Sequence, residues 1–115
     1  MKRPIWKTLI AAGSLLAAAS SSAFEVNNVS ITQIDSFNSG GHLWVLVSGP
    51  NNCGTPTSYF IIERWDNQAE PLQTYRKQMY QMALTAFAGG KRIRVMGSTC
   101  YLGQYLFAEQ LMIFD

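Results

Sequence analysis

Apolar residues cluster near the start of this 115-residue chain and alternate with polar ones through its middle. They recur at three- and four-residue steps after Pro71, then alternate again to the end. The first cluster, Leu9 to Ala19, follows Lys2, Arg3 and Lys7 and precedes Ser21-Ser22-Ala23. A positive start, a short apolar run and small residues at a cleavage point are the three parts of a secretory leader. The run is too short, and wrongly flanked, for a membrane span. Residues 1–23 are therefore predicted to be a signal peptide, and residues 24–115 one small domain in a periplasmic or secreted location.

Within that domain, Val29 to Phe37 is rich in β-branched residues and predicts a first strand. Asn38-Ser39-Gly40-Gly41 predicts a turn, and His42 to Ser48 a second strand, so the two form a hairpin. Gly49 to Pro56 has the composition of a loop, and Tyr59 to Trp65 reads as a third strand. The period then changes. Leu72, Tyr75, Met79, Met82, Ala83 and Ala86 form the stripe of an amphipathic helix, with Arg76, Lys77, Gln78 and Gln81 mostly on its wet face. Pro71 suits the first turn and Gly89-Gly90 the end. Lys91 to Gly97 alternates as a fourth strand, Ser98 to Tyr105 reads as a loop, and Phe107 to Phe114 closes the chain as a fifth strand. The order β-β-β-α-β-β predicts a mainly β fold with one helix, an OB-fold-like five-stranded barrel. Five strands and a mid-chain helix fit a β-sandwich poorly, and a ferredoxin-like fold needs a second helix.

Composition changes the picture in two ways. Three of the nine basic residues lie in the leader, so residues 24–115 hold six against seven acids, a net charge of −1. That balance argues against nucleic acid as a partner, because phosphate binding needs a basic surplus. The domain also holds two cysteines, Cys53 and Cys100. In the barrel, the loop between strands two and three and the loop between strands four and five open at the same end. Those loops carry Cys53 and Cys100, and an oxidising location lets a disulfide persist. The alternative, free or metal-binding thiols, lacks a CxxC motif and a histidine at ligand spacing. No metal or other cofactor is predicted.

Candidate chemistry is sparse. His42 has no serine or cysteine nucleophile at an evident spacing. Asp35 with Glu63 or Glu109 would make a glycosidase carboxylate pair, but charged residues on strands are ordinary. Asn28-Val29-Ser30 matches a glycosylation acceptor, a short pattern expected by chance. Trp44, Trp65 and the tyrosines at 59, 75, 80, 101 and 105 offer rings that suit the apolar faces of sugars, although a small domain needs most of them for its core. Tyr101 and Tyr105 stand out, because they lie in the loop OB-folds use for ligands. Lys91, Arg92 and Arg94 form the dense basic stretch, and Arg92 and Arg94 are the candidates to hold a carboxylate or phosphate. The predicted ligand-binding set is thus Tyr101, Tyr105, Arg92 and Arg94, with no catalytic residue.

A leader, a small OB-fold and a helix between strands three and four resemble the B subunits of bacterial AB5 toxins, nearest the subtilase cytotoxin B subunit. The residues carrying the likeness are Val29-Ser30-Ile31-Thr32-Gln33, Tyr80-Gln81-Met82-Ala83-Leu84 and Gly90-Lys91-Arg92-Ile93-Arg94-Val95. The resemblance implies a non-catalytic subunit that binds a host glycan, forms a homopentamer and docks an enzymatic A subunit. That family's sialic-acid pocket uses a serine just ahead of the first strand, where this chain has Asn27-Asn28. Besides this binding module, two other classes are in play: a small periplasmic structural or inhibitory protein that caps another protein, and a small secreted hydrolase.

Overall fold

A computed structural model describes residues 23–36 and 41–114. The predicted signal peptide up to Ser22, Phe37 and the turn residues Asn38, Ser39 and Gly40 lie outside the described residues. The elements are β1 (Phe24–Ser36), β2 (Leu43–Val47), β3 (Tyr59–Ile62), α1 (Leu72–Gly89), β4 (Arg92–Gly97), β5 (Cys100–Tyr101), β6 (Tyr105–Phe107) and β7 (Gln110–Phe114). The protein is mainly β with one helix among the described residues, and its strands form one sheet in the order β5-β6-β3-β2-β1-β4-β7. Among the described residues no helix is long and apolar enough to cross a membrane.

Seven strands replace the five expected, and the ladder is not closed. The segment expected as a loop carries β5, and the expected last strand breaks at Ala108-Glu109 into β6 and β7. The break has a hydrogen-bonding cause. The Ala108 N–H donates to Ile61 O of β3 at 2.9 Å, while the Glu109 N–H donates to Met96 O of β4 at 2.9 Å. Two adjacent residues thus change partner strand, so neither strand's ladder runs through both. β6 is parallel to β3, β7 is antiparallel to β4, and β4 is antiparallel to β1.

β1 is longer than predicted and serves two neighbours. Its first half pairs with β4 and its second half with β2, with register shifts between Val26 and Val29 and between Ile31 and Gln33. Asn28 sits in the first shift at φ 55°, a backbone region asparagine tolerates better than most residues. Asn27-Asn28 therefore lies inside β1, not ahead of it. β3 ends at Ile62, short of Trp65, because the next residues turn to receive the helix: the Arg76 guanidinium donates to Glu63 Oε1 and to Arg64 O, each at 3.1 Å.

The core follows from strand alternation. Val45, Phe60, Ile62, Ile93, Val95 and Leu106 are fully buried on the inner face. Met79, Ala83 and Ala86 cover them from α1, and the two alanines allow close approach. The helical stripe is shifted from the one predicted. Leu72 and Tyr75 are exposed, whereas Arg76, predicted on the wet face, is the residue that ties the first turns inward. Tyr80 stacks on Trp65 at 5.2 Å. Glu70 accepts from the Thr74 N–H and Oγ1–H, which holds its carboxyl below the ordinary range. A carboxyl lowered by folding stabilises the fold above its ordinary range. That small contribution is lost as acid protonates it.

The helix ends on Gly90 at φ 63°, with the Gly90 N–H donating to Phe87 O and the Lys91 N–H to Ala86 O. These two bonds satisfy carbonyls the last turn would leave open. A Cβ at Gly90 meets no atom within 4 Å, so the cost of Gly90→Ala is conformational alone. It should be about 1 kcal/mol, read as a modest drop in melting temperature.

Candidate functional site

Sheet register places outward side chains in rows across the strands. One row holds Asp35, Trp44, Ile61 and Phe107, on β1, β2, β3 and β6. The next holds Gln33, Leu46 and Tyr59, and Tyr59 meets Tyr105 at a ring separation of 5.8 Å. Directly opposed residues point to the same face of a sheet, so both rows stand on the outer side, away from the helix. Ile61 is fully buried yet does not belong to the helix-side core cluster. The outer face has its own small hydrophobic centre, with aromatic rings over it.

Those rings interlock. Trp44 meets Tyr105 at 4.9 Å, Tyr59 at 6.0 Å and Tyr101 at 6.2 Å, all edge-to-face. Tyr101 continues to Phe107 at 5.7 Å, and Phe107 to His42 at 6.0 Å. Edge-to-face pairing is the arrangement ring quadrupoles favour, and each pair holds its neighbours in orientation. Most of the rings are half-buried, and Tyr101 is 42% exposed.

The hairpin that supplies Tyr101 and Tyr105 is fixed from beneath. Cys53 and Cys100 form a disulfide, with Cα atoms 6.0 Å apart, as the cysteine count and loop placement predicted. Beside it Asn51, 3% exposed, donates from Nδ2 to Gln104 O at 3.0 Å and to Tyr59 O at 3.1 Å. Its Oδ1 accepts from the Cys53 and Thr57 N–H groups. The Thr57 hydroxyl donates to Gln104 O at 2.6 Å, and the Thr55 N–H donates to Gly103 O at 2.9 Å. The loop after β2 is therefore a brace for the β5–β6 hairpin. At the hairpin tip the brace holds Leu102 at φ 54° and 70% exposed.

Tyr101 and Tyr105 are thus brought together, 6.4 Å between rings. Arg92 and Arg94 belong elsewhere. Arg92 donates from Nε to Asn28 Oδ1 at 2.7 Å and from Nη2 to Asn28 O at 2.6 Å. Arg94 donates to Glu25 Oε1 at 2.8 Å. Both guanidinium groups are used in tying β4 to β1, and among the described residues no hydrogen bond joins either to the two tyrosines. His42 Nδ1 accepts from the Arg64 N–H at 3.1 Å, a strand-end contact.

No protein-family model matches the chain, and no curated protein matches it. The geometry adds Trp44, Tyr59 and Phe107 to the two predicted tyrosines. Trp44 and Tyr59 were visible as rings in alternating strands, but only the pairing register shows that they share a face with Tyr105. Phe107 gave no signal beyond alternation in its own strand.

Proposed function

We propose that this protein is an exported, non-catalytic binding module of OB-fold type, binding a glycan on the aromatic face of β2, β3, β5 and β6. The barrel reading takes β6 and β7 together as one bent fifth strand. It is supported by antiparallel β1–β4 and parallel β3–β6 pairing, with the helix between β3 and β4. OB-folds bind oligosaccharides and oligonucleotides on the face of strands two and three and the loop between strands four and five. The observation that carries the reading is that five outward rings occupy that region on a disulfide-braced support. Apolar sugar faces stack on aromatic rings, and a platform rigid before binding loses little entropy on binding. An oligonucleotide would be opposed by the net negative charge of residues 24–115.

A glycan array with wild type, Tyr101→Ala and Arg94→Ala tests this. Circular dichroism first checks that both variants fold. Tyr101→Ala should lose the wild-type signal, and Arg94→Ala should keep it. No glycan bound by the wild type would remove the carbohydrate reading.

A groove of about 460 Å³ between α1 and β7, lined by Tyr75, Met79, Met82, Leu111 and Met112 and by the polar Gln78, Glu109 and Gln110, favours a second reading, a structural or inhibitory protein that binds another protein. Mass in solution separates the two. The toxin-like form, a homopentamer that docks an enzymatic subunit, should have five times the monomer mass.

A further inference from the structure

We infer that the aromatic face takes a neutral saccharide, with Asp35 as the specificity-determining residue that accepts its hydroxyl protons. This inference rests on the glycan reading of the face and adds the class of sugar. It starts from the sheet register. Asp35 lies directly opposite Trp44, and Gln33 opposite Leu46, so a carboxylate and an amide from β1 border the ring platform. Residues two apart on a strand share a face, which puts the two polar groups side by side. Gln33 Nε2 donates to Asp35 Oδ1 at 2.8 Å and to Oδ2 at 2.9 Å. The amide fixes the carboxylate plane while leaving further lone pairs on both oxygens.

A pyranose matches this pairing of groups. One side of the ring is C–H and stacks on an aromatic face; its edge carries hydroxyls that donate to a carboxylate. Hydrogen bonds to a charged acceptor are about twice as strong as neutral ones, so one carboxylate at the platform edge suffices to orient the ring. The same charge rejects acidic sugars. In the two rows of the face Asp35 is the charged side chain, and no arginine stands among them to offset it. Arg94, the residue best suited to a sialic-acid carboxylate, is held by Glu25 on β1, and Arg92 by Asn28. An acidic sugar on Trp44 would therefore meet repulsion without a counter-ion.

Titration calorimetry with neutral hexose oligosaccharides and their sialylated counterparts tests this, using wild type, Asp35→Asn and Gln33→Ala, each shown by thermal melting to be folded. Wild type should bind the neutral set at least tenfold more tightly. Asp35→Asn should lose roughly tenfold or more on neutral sugars, as expected for losing a charged acceptor. It should also narrow the gap to the sialylated set. A merely structural loss would weaken both sets equally and would overturn the assignment. Gln33→Ala frees the carboxylate without removing it, so its loss on neutral sugars should be smaller and its rejection of sialylated sugars intact. Preference of the wild type for sialylated sugars overturns the inference but not the face, provided Tyr101→Ala abolishes that binding. No binding to either set overturns the glycan reading itself.

Discussion

Gly97→Ala will unfold the protein or lower its melting temperature by roughly 4–24 °C or more. A Cβ built at Gly97 falls on Phe107 O, well inside van der Waals contact, and lies 3.2 Å from Phe107 C. Those are backbone atoms, and their surroundings keep them in place. The Phe107 N–H is bonded to Thr99 O at 3.0 Å and the next N–H to Ile61 O at 2.9 Å. Relief would have to come from separating β4 from β6, just ahead of the point where the last segment changes its partner from β3 to β4. Overpacking a rigid site costs about 1–3 kcal/mol or more, and in a domain of this size each kcal/mol shifts the midpoint by about 4–8 °C. Gly90→Ala serves as the control for the loss of a glycine as such. If Gly97→Ala melts no lower than Gly90→Ala, the close approach of the two strands is wrong.

Removing the disulfide by Cys100→Ala should lower stability by roughly 2–5 kcal/mol in denaturant unfolding. The cysteines are 47 residues apart, so the link closes about half of residues 24–115. Part of the loss should be local. With the covalent brace gone, the hairpin keeps the Asn51 and Thr57 bonds to Gln104, the Thr55 bond to Gly103 and the pairing of β6 with β3, all of them non-covalent. Amide exchange should therefore speed up between Tyr101 and Tyr105 before it does in β2 or β4. Unchanged stability and unchanged exchange would show that the polar network is sufficient without the bridge.

Much of the architecture was legible because it is written in local periods. Alternation placed β2 and β4, and the glycine pair placed the end of α1. What failed was whatever depended on partners distant in sequence. The period alone extends the helical stripe to Leu72 and Tyr75. The first turns instead face Glu63 and Arg64, so a guanidinium serves there better than an apolar ring. The strand expected from Phe107 to Phe114 reads as continuous apolar alternation, and nothing in it reveals that Ala108 and Glu109 answer to different strands. The binding face failed in the same way. In sequence, Tyr101 and Tyr105 stand out by their loop, and Arg92 and Arg94 by their charge. Only the register reveals that the tyrosines join Trp44 and Tyr59 and that the arginines belong to Glu25 and Asn28. Asp35 looked like an ordinary strand charge until its partner across the sheet was known to be Trp44.

The proposed ligand site is the outer aromatic face. Its most direct test is to map backbone and indole amide shifts of the isotope-labelled protein during titration with a neutral oligosaccharide that it binds. Shifts should concentrate on Asp35, Trp44, Tyr59, Tyr101 and Tyr105, with the Trp44 indole N–H moving and that of Trp65 still. Shifts concentrated instead on Asn28, Arg92 and Arg94, or along the groove between α1 and β7, would contradict it.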